Sequence, residues 1–143
     1  MPCREHVAQL RSHRDEFESL RTRVLLISFS RSEGYGRKWL QETGAPFPLL
    51  LDPERRTYRA YGLRHSVARS WSPRTLWYYV RAAFAGRKLH GIRGDPNQLG
   101  GDFIVDSDGI VRLAYRSRES VDRPPVADLL GLLRSLNREE TVR

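Results

Sequence analysis

Apolar and polar positions alternate along the chain in blocks whose spacing predicts a mixture of helices and short strands. In residues 3–22 the apolar side chains recur every three or four positions, which is typical of an amphipathic helix. The β-branched run Val24–Phe29 predicts a buried strand, and Phe47–Leu51 predicts a second, short extended segment. A last helix is predicted from Pro124 onwards. Its predicted inner face consists of Val126, Leu129, Leu130, Leu133 and Leu136.

Turn and capping residues separate these blocks. Ser30 or Ser32 is a candidate N-cap for a helix that ends at Gly44. Asp52 is expected to cap a short helix that ends at Gly62.

The stretch from Leu99 to Ser117 predicts a β-hairpin. Phe103–Val105 and Ile110–Tyr115 are apolar runs, and the Asp106–Gly109 segment between them has the composition of a tight turn. The first run has apolar residues on both faces and is expected to be a buried, central strand, whereas the second alternates and faces water on one side. Gly100 and Gly101 lead into the first strand and permit a sharp turn or the close approach of another backbone.

Residues 63–98 are rich in aromatic and basic side chains, and we interpret them as an insertion within a single domain of residues 1–143. Ser72 and Pro73 predict the start of a helix, and residues 87–97 predict a loop. One apolar stripe is predicted along the helix: Leu76, Tyr79, Val80, Ala83 and Phe84.

Two interpretations of this insertion remain open. Trp71, Trp77, Arg74 and Arg81 would cover a reactive pocket or bind an anionic partner, nucleic acid included. Alternatively, the aromatic side chains pack on the sheet while the arginines stay in water.

Without the insertion, the predicted order is α-β-α-β-α followed by β-β-α. This order resembles a three-layer α/β thioredoxin-like fold that lacks its first strand, with the C-terminal β-hairpin and helix in place.

The composition limits the classes of function. The net charge is +8, but the 23 arginines occur in every segment, which favours the codon bias of a GC-rich genome over a nucleic-acid-binding face. Nucleic-acid binding is therefore expected to be weak and non-specific. No apolar run is long enough to span a membrane and no signal peptide is recognisable, so a cytoplasmic protein that does not bind membranes is expected.

Cys3 is the candidate for chemistry, since it is the sole cysteine and lies at the start of the first predicted helix. Free backbone N–H groups and the helix dipole stabilise a thiolate at such a position, and Arg4 adds a positive charge. His6 lies one turn further along the helix and could stabilise the thiolate or move a proton. The alternatives are a buried, inert cysteine and a partly exposed surface histidine.

Four sequence blocks resemble the peroxiredoxin-like proteins of the alkyl hydroperoxide reductase/thiol-specific antioxidant (AhpC/TSA) group. They occur in the order expected for that group and extend over nearly the whole chain. The blocks are Pro2–Leu10, Phe47–Pro53, Tyr58–Leu63 and Gln98–Phe103.

The resemblance implies that Cys3 matches the second cysteine of a Cys-x-x-Cys pair. The first cysteine would fall just before Met1, together with the strand that leads into it, so we expect an N-terminal truncation through a misassigned start, or else a degenerate copy. The resemblance further implies thiol-based redox chemistry, with a hydroperoxide or protein disulfide as substrate and an external thiol as reductant. No cofactor or metal is expected, and the oligomeric state stays open.

The implied catalytic residues are Cys3, Arg4 and His6, and the implied substrate-binding residues are Gly100, Gly101 and Trp71. Two other functions are compatible with the sequence. The first is a non-catalytic thioredoxin-like binding module, and the second is a basic nucleic-acid-associated protein.

Overall fold

The computed structural model describes residues 2–86, 95 and 97–142, and its helices and strands follow the predicted order. Most of the loop predicted at residues 87–97 lies outside the described residues. The elements are α1 (Pro2–Ser12), α2 (Arg14–Ser19), β1 (Leu26–Ser28), α3 (Glu33–Thr43), β2 (Leu49–Leu51), α4 (Arg56–Ala60), α5 (Val67–Ser70), α6 (Pro73–Phe84), β3 (Gly101–Val105), β4 (Val111–Arg116) and α7 (Val126–Val142).

The chain divides into two compact units. The hairpin unit comprises Met1–Cys3 and Arg55–Arg123, and the parallel-strand unit comprises Arg4–Glu54 and Pro124–Arg143. Within the described residues each unit holds one two-stranded sheet, β3 with β4 in the first and β1 with β2 in the second. That residues 1–143 form a single domain stays a prediction.

In the parallel-strand unit, β1 and β2 pair in parallel, with Ile27 opposite Leu50. The predicted burial of the strand at Val24–Phe29 is wrong for one of its faces. Leu25 is 49% exposed, Ile27 39% and Leu50 48%. Because side chains of a strand alternate between two faces, these residues form one apolar face that is open to solvent.

The single helix predicted at residues 3–22 is two helices. α1 ends before His13, whose backbone lies outside the helical region at φ −108° and ψ 18°. After α2 the chain turns at Arg21, which has a left-handed φ of 52°. The Thr22 N–H then donates to the Phe17 carbonyl at 2.9 Å, a bond that closes the C-terminus of a helix.

Three predicted helix ends are confirmed. The Ser32 side chain accepts a hydrogen bond from the Tyr35 N–H at 3.2 Å and begins α3, which ends at Gly44 with φ 59°. The Ser72 side chain likewise accepts from the Thr75 N–H at 3.2 Å and begins α6. In both cases a serine oxygen satisfies a backbone donor that the helix itself leaves unpaired.

The helix predicted to have Asp52 as its cap begins three residues later, with Arg55 at the N-cap, so Asp52 is not its cap. The Asp52 N–H donates to the Ser28 carbonyl at 2.7 Å and continues the pairing of the two parallel strands. Arg55, with a left-handed φ of 56°, then leads into α4. The helix ends before Gly62, as predicted, and this glycine has a φ of 68°.

The core of the parallel-strand unit includes the predicted inner face of α7. Its buried members are Val126, Leu129, Leu130 and Leu133, whereas Leu136 is half-buried. The same unit buries Val7, Leu10, Phe17 and Phe47. Regular burial at helical spacing is the signal that the sequence pattern carries, and it places α7 correctly.

The predicted β-hairpin is confirmed. β3 and β4 are antiparallel, and Gly109 closes the turn with a φ of 80°. The Asp106 carboxylate accepts from the Ile110 N–H at 2.8 Å and from the Asp108 N–H at 3.0 Å. The central position predicted for the first strand is wrong, because in the described part of the chain β3 pairs with β4 alone and is half-buried.

The apolar stripe predicted for α6 is wrong in its orientation. The buried residues of this helix are Thr75 and Ala82, seven positions apart on one face. Leu76 is 55% exposed, Val80 39% and Phe84 90%, so the larger apolar side chains face outwards. Ala83 is also exposed and Tyr79 is half-buried. The helix packs through its small side chains, which allow a closer approach than the large ones.

Among the described residues, no helix combines the length and the apolar character needed to cross a membrane.

We expect Leu130→Ala to lower the free energy of unfolding by about 2–5 kcal/mol, because it leaves a cavity in the core. Leu130 is 2% exposed. The neighbouring Gly131→Ala is the matched control, since a Cβ there meets no atom within 4 Å. It should stabilise the helix by about 0.5–1 kcal/mol. Urea denaturation of both variants checks the prediction, and equal effects at the two positions would contradict it.

We expect the hairpin turn to weaken in acid. Backbone N–H groups, first that of Ile110, and the Arg112 guanidinium hold the pKa of Asp106 below its usual 3.8. A lowered pKa means that the stabilisation is present above the usual value and is lost as the pH falls through the folded value. The free energy of unfolding, measured between about pH 5 and pH 2, should therefore fall less steeply in Asp106→Asn than in the wild type. Asp108→Asn, at an exposed position of the same turn, should keep the wild-type slope.

Candidate active site

Cys3 lies in the first turn of α1 and is exposed, as the sequence predicts for a reactive thiol. The first turn of a helix has backbone N–H groups without partners in the helix, and they carry the positive end of its dipole. The alternative of a buried, inert cysteine is therefore not supported by the structure.

The guanidinium of Arg123 contacts the sulfur directly. Its Nη2 donates to Cys3 Sγ at 3.2 Å, although the two residues are 120 positions apart in the sequence. Its Nη1 donates to the Asp102 carboxylate at 3.3 Å. The Arg123 side chain is 17% exposed, so this cation is largely withdrawn from water and is held between two negative partners.

The charge of Arg123 is stable in this position. Burial on its own would lower the pKa of Arg123, but the charges of Cys3 and Asp102 outweigh it and the pKa is raised. A permanent cation therefore lies beside the sulfur, which is one of the surroundings in which reactive cysteines are found.

Gly100 provides the space that the guanidinium occupies. A Cβ at Gly100 would lie 2.7 Å from Arg123 Nη2 and 3.0 Å from Nη1. At Gly101 a Cβ would lie 2.6 Å from the Tyr115 carbonyl oxygen across the hairpin. The glycine pair predicted to line the site thus has two separate reasons to lack side chains, and only that of Gly100 concerns the guanidinium.

The loop between β4 and Arg123 is fixed by one carboxylate. Asp122 accepts a hydrogen bond from the Tyr115 hydroxyl and another from the Arg118 N–H at 2.7 Å. The hydrogen bond to Asp122 raises the pKa of Tyr115, which therefore remains a donor at neutral pH. Because Asp122 precedes Arg123, these bonds help to determine where the guanidinium is presented.

Helix α6 also approaches the thiol. Burial and the negative charge of Cys3 raise the pKa of Tyr79, so the phenol stays protonated. Tyr79, within the insertion, therefore interacts electrostatically with Cys3.

The structure brings together only part of the set predicted from sequence. Cys3 and Gly100 meet at the guanidinium. Arg4 donates instead to Glu42 at 2.6 Å, and its guanidinium lies 5.9 Å from the centre of the Trp39 ring. His6 is 6% exposed, so the alternative of an exposed surface histidine is wrong. Trp71 is 46% exposed, and its role in binding substrate stays a prediction.

Three residues of the site are not found by sequence reasoning: Asp102, Arg123 and Tyr79. Two of them carry weak signals. Asp102 is a charged residue at the start of an otherwise apolar strand, and Arg123 directly precedes two prolines that begin a helix. Neither signal indicates a partner for a cysteine. Within the described part of the chain, no group of three or more His, Cys, Asp or Glu residues could hold a metal ion.

We expect Arg123→Gln to slow alkylation of Cys3 by iodoacetamide about three- to tenfold at pH 7, because the thiolate loses its cation. The chain has one cysteine, so the measured rate belongs to Cys3 alone. Arg118→Gln is the matched control, because this arginine is exposed in the same loop and its backbone, not its side chain, binds Asp122.

Gly100→Ala tests the same arrangement from the other side, since it keeps the arginine but occupies its space. It should slow alkylation in the same direction as Arg123→Gln. Wild-type rates in both variants, with the Arg118→Gln control also unchanged, would remove Arg123 from the site.

Comparison with known proteins gives consistent matches. A family model described as "AhpC/TSA antioxidant enzyme" matches residues 9–120. The chain is 24% identical to "Peroxiredoxin-like 2C" of Homo sapiens, in an alignment over 92% of this chain and 62% of the relative. It is similar to the proteins of that name from Bos taurus, at 24% identity over 92% and 61%, and from Mus musculus, at 23% over 92% and 62%.

The matches cover only part of the relatives and only part of this chain. The chain spans less than two thirds of the length of these relatives. The segment matched by the family model lies between Cys3 and Arg123 and includes neither, so their pairing rests on the structure. The mixed α/β order with small sheets agrees with the thioredoxin-like fold predicted from the sequence. The family model matches most of the chain, and the sequence blocks resemble the same group. The chain therefore belongs to the AhpC/TSA antioxidant enzyme family.

Proposed function

We propose that this chain is a thiol-dependent peroxidase in which Cys3 reduces hydroperoxides. Family membership supports a thiol-based antioxidant function at the level of the family. The contact between Arg123 and the Cys3 sulfur is the observation that supports Cys3 as the reactive residue. It provides an exposed thiol with a permanent cation that is largely withdrawn from water.

The first step uses the thiolate as nucleophile. Cys3 Sγ attacks the terminal oxygen of the hydroperoxide, an S–O bond forms and the O–O bond breaks. The leaving alkoxide takes a proton and departs as an alcohol or as water, and the two-electron oxidation leaves Cys3 as a sulfenic acid. Arg123 stabilises the thiolate before the attack, and Asp102 holds Arg123 in place.

The second step needs an external thiol, since this chain has no other cysteine. The external thiolate attacks the sulfenic sulfur, the S–O bond breaks and water leaves, which gives a mixed disulfide. A second thiol attacks this disulfide, releases the Cys3 thiolate and forms the oxidised disulfide of the reductant. Exposure of Cys3 gives either thiol direct access.

The other residues predicted from the sequence have different roles in this proposal. Gly100 acts by making room for Arg123, and the proposal keeps Gly101 and Trp71 as residues near the substrate. Arg4 and His6 are proposed to act on Cys3 through the helix they share with it.

We expect one equivalent of hydrogen peroxide to convert Cys3 to a sulfenic acid that dimedone traps, as detected by intact mass spectrometry. With dithiothreitol present, the chain should consume peroxide catalytically. Arg123→Gln should lower the second-order rate about tenfold, because less thiolate is present and its charge is less well stabilised. Cys3→Ser should neither trap dimedone nor consume peroxide.

Arg118→Gln serves again as the control and should keep the wild-type rate. Peroxide consumption that persists in Cys3→Ser would contradict the proposal. A different result would assign thiol–disulfide exchange instead. In that case the chain would consume no peroxide, but it would accelerate the reduction of a protein disulfide by dithiothreitol, and this acceleration would require Cys3. If the folded wild-type protein catalyses neither reaction, the result would favour the non-catalytic binding module.

A further inference from the structure

The outward face of α6 is an apolar surface that is open to solvent. Phe84 is 90% exposed, Trp77 67%, Leu76 55% and Val80 39%. At about 100° of rotation per residue these four side chains lie within about 100° of arc on one side of the helix. The buried residues Thr75 and Ala82 lie on the opposite side. We call these four exposed residues the α6 apolar face.

Basic side chains border this face. Arg74 and Arg81 are exposed on the same helix and lie next to each other on one flank of the apolar arc. The helix has no acidic residue. An exposed apolar stripe that includes Trp and Phe, flanked by arginines, has the composition of a helix that lies in the interface of a membrane.

In the sequence, positive charge is concentrated in the stretch that includes α6 more than the spread of arginines indicates. Residues 55–94 contain ten Lys and Arg residues and no Asp or Glu. The other 103 residues contain 15 basic and 17 acidic residues, so this one stretch accounts for the positive charge of the whole chain. The arginines occur in every segment of the sequence, whereas the carboxylates do not.

We propose that the α6 apolar face docks on the surface of an anionic lipid bilayer. Leu76, Trp77, Val80 and Phe84 would enter the boundary between headgroups and acyl chains, while Arg74 and Arg81 remain at the level of the anionic headgroups. This is peripheral binding, which is compatible with the lack of a membrane-crossing helix among the described residues. It differs from the expectation of a protein that does not bind membranes, because that expectation rests on the lack of a spanning apolar run and not on the surface of a helix. It is independent of the reaction proposed for Cys3.

Charge and side-chain type favour this partner over two others. A second copy docked through the same face would bring Arg74 and Arg81 of both copies together, and like charges oppose that contact. Single-stranded nucleic acid would stack its bases on Trp77 and Phe84, but it offers no apolar environment to Leu76 and Val80. A lipid surface satisfies the charges and the aliphatic side chains together.

The test uses the full chain and vesicles of phosphatidylcholine with about one third phosphatidylserine, at physiological salt, with cosedimentation as the readout. We expect binding to these vesicles and much weaker binding to phosphatidylcholine alone. Trp77→Ala/Phe84→Ala should lower the affinity at least tenfold, because the inserted aromatic surface is lost. Arg74→Gln/Arg81→Gln should lower it about fivefold for each arginine.

Two controls separate the face from bulk charge and bulk apolar surface. Arg31→Gln/Arg37→Gln removes the same charge from exposed positions of the parallel-strand unit and should bind like the wild type. Ile110→Ser, at a position 50% exposed on the hairpin, should also bind like the wild type. All substituted side chains are exposed or half-exposed, and circular dichroism verifies that each variant is folded.

Two results would overturn the proposal. The first is that the wild type does not bind the anionic vesicles, and the second is that Trp77→Ala/Phe84→Ala leaves the binding unchanged. If the wild type does not bind vesicles but does bind single-stranded DNA, or self-associates in sedimentation velocity, and this variant abolishes that activity, the face belongs to a nucleic-acid site or to an interface between copies.

Discussion

A guanidinium withdrawn from water needs negative partners, and this requirement governs the arrangement around Cys3. Arg123 obtains them from the Asp102 carboxylate and from the Cys3 sulfur. The Cys3 sulfur thus takes part in holding the arginine, and through this contact the loop that carries Arg123 is joined to the first turn of α1.

The parts of the fold that depend on local sequence are predicted well. Ser32 and Ser72 begin helices, Asp106 and Gly109 form the hairpin turn, and α7 buries the face that its spacing indicates. The errors arise where burial depends on neighbouring elements. In α6 two faces compete, and periodicity identifies the apolar stripe without indicating whether another element covers it. The small side chains of Thr75 and Ala82 face inwards, and no local signal specifies this choice.

The candidate site shows the same division between local and distant information. The place of Cys3 in the first turn of a helix follows from Pro2 and the spacing of the apolar residues, and the glycine pair is visible as a motif. The cation at the sulfur is not predictable in this way. Arg123 is 120 positions away in the sequence, and no local signal distinguishes it among the 23 arginines. The nearest arginine in sequence, Arg4, is the natural candidate, but in the structure it is paired with Glu42.

The three environments of arginine explain why net charge alone says little about function. In the parallel-strand unit, arginines such as Arg4 and Arg14 are paired with glutamates close by, which cancels much of their field. Arg123 is largely withdrawn from water, and its charge acts on the Cys3 sulfur and on the Asp102 carboxylate. Helix α6 itself has no carboxylate, so the exposed Arg74 and Arg81 have no acidic partner on their own helix and lie beside its apolar face. The sign of a surface thus depends as much on where acidic residues are missing as on where basic residues occur. In this chain they are missing from the sequence between residues 55 and 94, which includes α6 and its exposed apolar side chains.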